Sequence, residues 1–506
     1  MLGMVTDMVE AKLHAVVPVS CTMRGSLIAK NHEKQKITGM ATDFLNAAAA
    51  IVGSEALLSG DSAAPYCADK RGRYFGNALA VVFPSGTPQV AEIVKLCAAN
   101  QVAIVPQGGN TSLCGASVPL AEGRQIVLNL SRMKRIRAID PVNYTMTVEA
   151  GCILADVRAA AQRHDRLFPL ELTATLNHCE IGGNLSTNAG GNGVLRYGNA
   201  RDLVLGLEVV LPDGRIWNGL RSLRKDNSGY DLKHLFIGAE GTLGIITAAV
   251  LKLYPRPQSS ATAIVAIPDP AIAVRLLAHI RATCGDTLSA FELVSRSSLD
   301  VVFKHIPGVA EPFASRYAYY LLIQSDDVLP RPLDDALRNA IQSFGADIPE
   351  FAVTADTAAA EDWWKLRQNI SDAQKREGIS IKHDISVPVS RVAEFIARAD
   401  AAMHAAFPGI RIVAFGHLGD GNIHYNVSLA DAERNNAFIE QHEATVNRMV
   451  YEVVHEFGGS ISAEHGVGQL KRETIRAYKD PLELELMRGI KQVIDPHGLM
   501  NPGKVL

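Results

Sequence analysis

The sequence predicts an α+β fold divided into at least two domains, and three observations support this class. Two short apolar runs at residues 80–83 and 102–105 flank a stretch with helical spacing, which predicts a strand, helix, strand unit. Further apolar runs separated by turn residues continue to residue 267. Longer helical patterns then alternate with strands. A chain of 506 residues is also long enough to form more than one hydrophobic core.

The elements of the first half follow in order. Thr87 is expected to cap a helix whose apolar residues Val90, Ile93 and Val94 recur at helical spacing. The later apolar runs predict strands at residues 126–130, 144–150, 206–211, 243–253 and 262–267. Pro255-Arg256-Pro257 interrupts this series and indicates a domain boundary.

The second half alternates long helices with strands. Helical periodicity predicts helices near residues 270–283, 390–405, 431–457 and 481–494. Strands are predicted near residues 317–324 and 410–427. Because the turn residues Gly419, Asp420 and Gly421 divide the second of these runs, we expect it to form a hairpin.

Composition excludes several classes of function. The 50 basic and 53 acidic residues are intermixed and give a formal net charge of −3, so there is no basic field for nucleic acid or an anionic membrane. No stretch approaches the roughly 20 apolar residues of a membrane-spanning helix. The seven scattered cysteines include no CxxC pair, which is typical of reduced thiols. We therefore expect a cytoplasmic protein.

The first 40 residues show no clear periodicity. A basic cluster stands there, formed by Lys30, His32, Lys34 and Lys36. We expect residues 1–57 to be an extension of uncertain order, with Met40 as an alternative start. A targeting segment is the other interpretation.

Three glycine-rich segments carry the first chemical signal. Residues 106–112 follow a buried strand, residues 182–193 place polar side chains between glycines, and residues 238–247 lead from a glycine turn into a strand. Glycines let backbone N–H groups converge on an anion, and Asn, Thr and Ser side chains add further donors. Neither a Rossmann nor a Walker sequence stands where it would be needed. The segments therefore predict a different kind of dinucleotide cradle, with simple glycine turns as the alternative.

Together the three segments resemble the FAD-binding domain of the vanillyl-alcohol oxidase and p-cresol methylhydroxylase superfamily. The resemblance implies a two-subdomain FAD-binding domain over residues 58–257 and an α+β substrate, or cap, domain over residues 258–506. The C-terminal helical segment of the second domain is expected to pack back on the first. The residues that the resemblance implies in FAD binding are Pro106, Gln107, Gly108, Gly109, Asn110, Thr111, Ser112, Gly183, Asn184, Thr187, Asn188, Gly190, Gly191, Glu240, Gly241 and Ile246.

Two further details refine this resemblance. Relatives that hold the flavin covalently commonly carry a histidine in the first segment or a cysteine in the second. Here Gln107 stands in the first, and no cysteine lies between Gly182 and Gly193, which implies a non-covalent FAD. The sequences of residues 207–214 and 224–232 resemble those of the D-2-hydroxyglutarate dehydrogenase branch.

Histidines and a carboxylate form a second signal. His424 and Asn426 share one face of the expected hairpin, and if His417 pairs with His424 both imidazoles point to one side. Glu464 and His465 stand together in another glycine-rich turn. Two histidines and a glutamate form the ligand set of an open catalytic Zn²⁺ site and also suit non-haem iron. Histidines that only satisfy hydrogen bonds in the core are the alternative.

This region resembles the C-terminal domain of FAD-linked oxidases over residues 258–504. The resemblance implies that His417, His424 and Glu464 bind the metal, Zn²⁺ or another divalent ion, and that His465 is the general base. A metal bound to the substrate hydroxyl lowers its pKa, so that a neutral histidine removes the proton while hydride leaves C2 for flavin N5.

Cationic residues indicate the substrate. Arg367 and Ser371 are four apart in a helix expected to open at Trp363, and Lys382 follows. Arginine binds a carboxylate in bidentate fashion and lysine adds a second cation, whereas solvated surface charges are the common alternative. The hydroxyglutarate branch carries lysine at the position of Lys382, where D-lactate and glycolate dehydrogenases carry an uncharged residue. Lys382 therefore implies a substrate with a second carboxylate.

Ser371 and Asn426 leave the identity of the substrate and its contacts partly undetermined. Ser371 stands where that branch commonly has threonine, so D-malate or a longer acid could compete. Asn426 is expected to contact the substrate or the surroundings of the metal, or else to pin its strand.

The expected function is an FAD-dependent dehydrogenase that oxidises a D-2-hydroxy acid. D-2-hydroxyglutarate, oxidised to 2-oxoglutarate, is favoured, with D-lactate, glycolate or D-malate as alternatives. The resemblance implies an electron acceptor such as an electron-transfer flavoprotein or a quinone, and a homodimer is the assembly considered. A metal-dependent hydrolase or iron oxygenase without flavin, and a non-enzymatic FAD-binding relative, are the alternatives from other classes.

Overall fold

The computed structural model describes residues 41–506 and confirms the α+β class. The basic cluster and Met40 lie outside the described residues. Residues 41–52 are helical and are called α1. The elements that follow up to residue 255 are β1 (Leu57–Leu58), β2 (Val81–Val82), α2 (Thr87–Asn100), β3 (Ala103–Gln107), β4 (Gln125–Asn129), β5 (Ile136–Asp140), β6 (Thr145–Glu149), α3 (Leu154–Arg163), β7 (Arg166–Leu167), α4 (Ile181–Ser186), α5 (Val194–Tyr197), β8 (Val204–Val210), β9 (Ile216–Gly219), α6 (Lys233–Phe236), β10 (Ile245–Lys252) and β11 (Tyr254–Pro255).

A four-stranded sheet of order β1-β2-β4-β3 forms the first subdomain. Strands β2, β4 and β3 are parallel, which explains why they read as continuous apolar runs: such strands are buried on both faces. Helices α1 and α2 pack on this sheet through Phe44, Val52, Val90 and Ile93. Thr87 does not cap α2 as expected, because its hydroxyl donates a 2.6 Å hydrogen bond to Glu208 instead.

A five-stranded antiparallel sheet of order β5-β6-β10-β8-β9 forms the second subdomain. Its central strands β6, β8 and β10 lie within two residues of the bounds expected from the sequence. Their apolar side chains pack against α3, with Val148, Leu207 and Val157 fully buried in one cluster. The short pair β7 and β11 follows at the expected domain boundary.

The second half is built on a seven-stranded sheet of order β15-β12-β14-β13-β17-β18-β16, in which every neighbouring pair is antiparallel. Its elements are β12 (Ser259–Ile267), α7 (Pro270–Cys284), β13 (Leu288–Ser295), α8 (Arg296–His305), β14 (Tyr319–Asp327), α9 (Leu333–Phe344), β15 (Glu350–Thr354), α10 (Thr357–Gln368), α11 (Ile370–Glu377), β16 (Asp384–Ser386), α12 (Val392–Ala406), β17 (Ile410–His417), β18 (Asn422–Leu429), α13 (Ala432–Glu456), α14 (Arg472–Tyr478) and α15 (Pro481–Ile494). Helices α7, α9, α12 and α13 cover one face of the sheet and form its main core.

The hairpin of β17 and β18 is present, but His417 and His424, whose pairing was one possible register, are not partners. His417 pairs with Asn422, and His424 pairs with Phe415. A short 3₁₀ turn and Gly421, with φ +83°, close the chain directly after His417, so the pairing is shifted by two residues. Because side chains alternate with a period of two, this shift leaves both histidines on the same face.

Helix α10 also differs from its expected bounds. It begins at Thr357 rather than Trp363, because the Asp356 side chain caps it by accepting a 2.8 Å hydrogen bond from the Ala359 N–H. Arg367 therefore lies in its last turn, while Ser371 lies in the first turn of α11. The two helices meet at Asn369, which has near-helical dihedral angles.

Residues near the C-terminal end of the chain return to the first sheet. The Ile104 N–H donates to Leu499 O, and the Asn501 N–H donates to Ile104 O, each at 2.8 Å. The Asn501 side chain donates to Ala116 O and Glu240 O. Among the helices of residues 41–506, not one is both long and apolar enough to cross a membrane.

Candidate active site

A cavity of about 940 Å³ lies between the glycine-rich segments and the seven-stranded sheet. It is lined by 23 of the 24 residues to which the sequence assigned a role in cofactor, metal or substrate binding or in catalysis. The exception is Asn188, whose side-chain oxygen accepts a 2.9 Å hydrogen bond from the Arg201 N–H. Asn188 therefore holds the chain behind the second glycine-rich segment.

The glycines of the first two segments serve two purposes. A Cβ at Gly109 would lie 1.8 Å from His178 O, and one at Gly191, where φ is +117°, would lie 2.0 Å from Glu171 O. These two glycines let the chain pack closely. A Cβ at Gly183 would meet no atom within 4 Å, although this residue lines the cavity on α4. Gly183 thus leaves open the wall along which a bound group would lie.

Buried polar groups on this wall lack partners. Glu180 and Asn184 are 6% and 4% exposed, and Glu180 Oε2 and Asn184 Nδ2 have no hydrogen-bond partner among the described residues. Burial raises the pKa of Glu180 to about 8, so this carboxyl is largely protonated at neutral pH. Unpaired donors beside an open wall fit a polar cofactor such as FAD. Glu180 carried no sequence signal, since it simply precedes the second glycine-rich segment.

Other predicted cofactor residues support the cavity wall with their side chains. Gln107 donates to Tyr66 O and Ser117 O, each at 2.9 Å, and is 2% exposed. Glu240 accepts hydrogen bonds from the Val467 N–H at 2.7 Å and the Gly468 N–H at 2.8 Å. Asn110 donates to Ala68 O. These side chains hold loops together around the cavity.

His417, His424 and Glu464 come together at one end of the cavity. One donor atom of each lies within 4.8 Å of the others. His417 Nε2 is 3.9 Å from Glu464 Oε1, and His424 Nε2 is 3.9 Å from Glu464 Oε2. Two imidazole nitrogens and one carboxylate fit a catalytic Zn²⁺ with positions open for substrate.

The charges of these three residues are strongly perturbed. Burial lowers the pKa of His417, but Glu292 and Glu464 outweigh it and raise the value to about 9. Burial raises the pKa of Glu464 to about 7 and holds that of His424 well below its usual value. A cation bound among them would balance the buried carboxylates, and it requires deprotonated ligands.

Asp384 holds the loop that carries Glu464 and His465. It accepts hydrogen bonds from the N–H groups of Glu464 at 2.9 Å and His465 at 2.8 Å, and from the Asn422 side chain at 3.0 Å. It also lies 3.5 Å from His465 Nδ1 and 3.8 Å from His424 Nδ1. Asp384, His424 and His465 could hold an ion by distance alone. Because the Asp384 oxygens already accept these hydrogen bonds, an orienting role fits it better.

Glu292 is a buried acid that the sequence did not reveal. It is 1% exposed on β13 and accepts hydrogen bonds from Arg367 Nε at 2.8 Å and from His417 Nδ1 at 2.6 Å. Although burial raises the pKa of Glu292, these two partners outweigh it and lower the value to about 2. Glu292 does not itself line the cavity.

The expected substrate residues line the cavity near this centre. Arg367 Nη2 lies 3.5 Å from His417 Nε2. Burial lowers the pKa of Lys382 to about 8, helped by the neighbouring cations Arg71 and Lys375. Gln374 carried no signal in the sequence, and its Oε1 accepts hydrogen bonds from Lys382 Nζ at 3.4 Å and from the Asn426 amide at 2.9 Å.

The second glycine-rich segment contacts the group formed by His417, His424 and Glu464. A Cβ at Gly190, in the second glycine-rich segment, would lie 2.7 Å from Glu464 Oε1. A group bound along that segment would therefore end beside His417, His424 and Glu464.

Comparisons with known proteins identify the family of this chain. The FAD binding domain family matches residues 78–219, and the C-terminal domain of FAD linked oxidases matches residues 256–505. The mitochondrial D-2-hydroxyglutarate dehydrogenase of Arabidopsis thaliana is 37% identical over 86% of this chain and 76% of its own length. The D-2-hydroxyglutarate dehydrogenase of Xanthomonas citri is 36% identical over 87% of this chain and 92% of its own.

Solved structures show the same fold. The chain superposes on p-cresol methylhydroxylase with a TM-score of 0.74, at 17% identity over 92% of this chain and 97% of the other. An alkyldihydroxyacetonephosphate synthase gives a TM-score of 0.71, at 18% identity over 91% and 84%. The predicted resemblance is therefore confirmed: the chain belongs to the FAD-linked oxidase family that includes these D-2-hydroxyglutarate dehydrogenases, and it is an FAD-dependent oxidoreductase.

Proposed function

We propose that this flavoenzyme oxidises a D-2-hydroxy acid to the 2-keto acid, with D-2-hydroxyglutarate as the favoured substrate. The observation that carries the proposal is the contact between the wall at Gly190 and Glu464, which brings a cofactor segment against a metal-ligand set. Lys382 adds a buried cation in the same cavity. Relatives at 34–37% identity that are named for D-2-hydroxyglutarate support this substrate.

The side chains of the site divide the work of the reaction. His417, His424 and Glu464 would hold a divalent cation, for which Zn²⁺ is the first choice, and the glycine-rich segments would hold FAD non-covalently. When bound, FAD supplies a hydride acceptor at N5 and the cation supplies Lewis acidity towards the substrate oxygens. Arg367 and Lys382 both line the cavity. In this proposal Arg367 binds the carboxylate next to the reacting carbon, and Lys382 binds a second one.

His465 is the proposed general base. Burial lowers its pKa, and the cations Lys471, Arg71 and Lys382 add to this effect against the opposing influence of Asp384. The imidazole is therefore neutral at physiological pH and can accept the hydroxyl proton. Because Asp384 lies behind Nδ1, Nε2 is the nitrogen available to take it.

Other substrates and partners belong to the same proposal. D-Malate or a longer acid is a second candidate, because Ser371 leaves room where a threonine would add a methyl group. D-Lactate and glycolate are further candidates, because the dehydrogenases that act on them resemble this region too. An electron-transfer flavoprotein or quinone as acceptor, a homodimer and a cytoplasmic location also remain proposals, and cell fractionation would test the last, since the Arabidopsis thaliana relative is named as mitochondrial. The match to the FAD binding domain weighs against a hydrolase or oxygenase without flavin.

An anaerobic titration tests the reaction. Each of a panel of D- and L-2-hydroxy acids is added to the purified protein while the flavin absorbance is followed. We expect D-2-hydroxyglutarate to bleach the flavin fastest and the L-acids to leave it oxidised. A flavin that no hydroxy acid reduces would overturn the proposal.

Two treatments test the cofactors separately. Acid precipitation should release the yellow chromophore into the supernatant, and colour that stays with the pellet would contradict a non-covalent FAD.

Chelation should abolish turnover while FAD stays bound, and added Zn²⁺ should restore turnover. Full activity in metal-free protein would remove the metal from the mechanism.

A further inference from the structure

Glu292 joins the proposed metal centre to the proposed substrate arginine. One carboxylate oxygen accepts from His417 Nδ1 at 2.6 Å and the other from Arg367 Nε at 2.8 Å. The register of β13 and β17, in which Leu293 pairs with Gly416, places Glu292 directly across from His417. The carboxylate is 1% exposed and makes no other hydrogen bond within residues 41–506.

The bond to His417 decides which nitrogen can bind a metal. A carboxylate only accepts hydrogen bonds, so it holds the imidazole proton on Nδ1. When the ring loses its other proton to bind a metal, the lone pair is on Nε2, the nitrogen that lies 3.9 Å from Glu464. A histidine ligand held in this way by a carboxylate is fixed in both tautomer and orientation.

The bond to Arg367 uses the second oxygen. Arg367 is always charged, and its Nε–H needs an acceptor in this buried place, where the side chain is only 11% exposed. Phe415 supports the guanidinium from its face, at 4.8 Å from the ring centre. With Nε bound to Glu292, Nη2 lies 3.5 Å from His417 Nε2, so the guanidinium reaches the proposed metal centre, where a substrate carboxylate would bind.

We propose that Glu292 is a positioning residue that sets the tautomer of His417 and the orientation of Arg367 through one carboxylate, so that metal loading and substrate binding depend on the same buried group. This inference rests on the proposed metal centre. It predicts that no neutral side chain can replace Glu292, since two N–H donors need two acceptor oxygens.

Glu292→Gln tests this requirement, because glutamine has nearly the same shape but only one acceptor oxygen. The charged Arg367 is expected to attract that oxygen, which turns the amide NH₂ towards His417 Nδ1. The imidazole proton then moves to Nε2, where it blocks metal binding. Competition titration of the metal-depleted holoprotein with Zn²⁺ and a chromophoric chelator should show an affinity roughly 10- to 100-fold below wild type. FAD content should not change.

Glu377→Gln is the matched control. Glu377 is also an acid with little exposure, 8% for its side chain, and it pairs with a histidine and an arginine, His305 and Arg411, as well as with Lys304, but it does not line this cavity. Its substitution should lower the melting temperature and leave the Zn²⁺ affinity at the wild-type value. A loss of Zn²⁺ binding that Glu377→Gln shares would show that Glu292 is only structural and overturn the inference.

A rescue variant gives the second test. In Glu292→Gln/Arg367→Met the amide oxygen is no longer attracted by Arg367 and can turn to His417, so Zn²⁺ affinity should recover towards that of Arg367→Met alone. A double variant no better than Glu292→Gln, or a Glu292→Gln protein with wild-type Zn²⁺ affinity, would overturn the inference. A wild-type protein that binds no Zn²⁺ would instead overturn the metal centre itself, and the inference with it.

Discussion

Lys382 is the residue on which the proposed choice of substrate depends. Among residues 41–506 it has no acidic partner, and its Nζ reaches only Gln374 Oε1 at 3.4 Å. Burial and the nearby cations Arg71 and Lys375 lower its pKa to about 8, which means that the folded protein disfavours this charge. A second substrate carboxylate would supply the missing partner.

Lys382→Met should therefore lower kcat/KM for D-2-hydroxyglutarate roughly 30- to 1000-fold, because it removes a desolvated charge partner. This corresponds to a loss of about 2–4 kcal/mol in transition-state stabilisation. D-Lactate, which lacks the second carboxylate, should be nearly unaffected. Lys365→Met is the control: that lysine is 53% exposed, pairs with Asp362 and does not line the cavity, so its loss should change either value by about 0.5 kcal/mol at most. An equal effect of Lys382→Met on both substrates would contradict the diacid assignment.

The lowered pKa of Lys382 also predicts a pH dependence. Below pH 8 the lysine is charged and can bind the second carboxylate, and above it the charge is lost. The ratio of kcat/KM for D-2-hydroxyglutarate to that for D-lactate should therefore fall as the pH rises through about 8, and taking the ratio cancels the titration of His465. Lys382→Arg should show no such fall. A ratio that does not change with pH in the wild type would show that Lys382 does not bind substrate.

Sequence reasoning found the cavity residues but not those behind them. His417, His424 and Glu464 stand in glycine-rich turns that draw attention to them. Glu292 lies 125 positions from His417, in a strand of ordinary apolar pattern, and only the pairing of β13 with β17 brings the two together. No local periodicity determines such a pairing. Gln374 was missed for the same reason.

At the scale of elements, the second glycine-rich segment is more regular than a loop. Residues 181–186 form α4, and Gly183 lies in this helix with nothing within 4 Å of where its Cβ would be. In a helix, glycine is less stable than alanine by about 0.5–1 kcal/mol. That a glycine stands at this open position fits a close approach of the cofactor.

Gly183→Ala should stabilise the apoprotein by up to about 1 kcal/mol, since alanine favours the helix. FAD affinity should fall by about 1–3 kcal/mol, because the new methyl group projects into the cofactor space. Flavin fluorescence quenching and denaturant unfolding of the apoprotein measure the two quantities. Gly489→Ala on α15 is the control, because that glycine also has open space around it and does not line the cavity. Gly489→Ala should stabilise the fold without changing FAD affinity. An unchanged FAD affinity in Gly183→Ala as well would show that the cofactor does not lie against Gly183.

Element types were easier to predict than their ends and registers. The hairpin followed from Gly419, Asp420 and Gly421, but the pairing was shifted by two residues, because a three-residue 3₁₀ turn follows His417. Helix α10 was expected to open at Trp363, whereas the cap at Asp356 starts it six positions earlier. Caps and turns depend on side-chain hydrogen bonds that apolar periodicity does not describe.

At the scale of the whole molecule, Asn501 joins three parts of the chain. Its backbone N–H donates to Ile104 O in β3. Its side chain donates to Ala116 O at 3.0 Å and to Glu240 O at 2.7 Å, and it is 2% exposed. Glu240 in turn accepts from the Val467 and Gly468 N–H groups, so both domains meet at this point.

Asn501→Ala should lower the free energy of unfolding by about 2 kcal/mol or more, because two buried carbonyl groups lose their donor. The φ angle of +44° at this position, which alanine rarely adopts, adds to the loss. Denaturant unfolding measures the change. Asn77→Ala is the control, since its amide also donates to a backbone carbonyl, Ala121 O, but at an exposed position. An equal loss of unfolding free energy in the two variants would show that the buried hydrogen bonds of Asn501 contribute no more to stability than an exposed one.

The return of residues 499–501 to β3 has a consequence for the timing of biosynthesis. Asn501 and Ala116 are 385 positions apart, so the ribosome completes the first sheet long before it makes the segment that lies along its edge. Until then Ile104 lacks both of its hydrogen-bond partners from that segment, and Glu240 lacks the loop that it binds. We therefore expect the nascent N-terminal half to remain incompletely folded until residues 467–501 have been synthesised. Capture of the flavin then belongs to the last stage of folding, after the second domain has emerged.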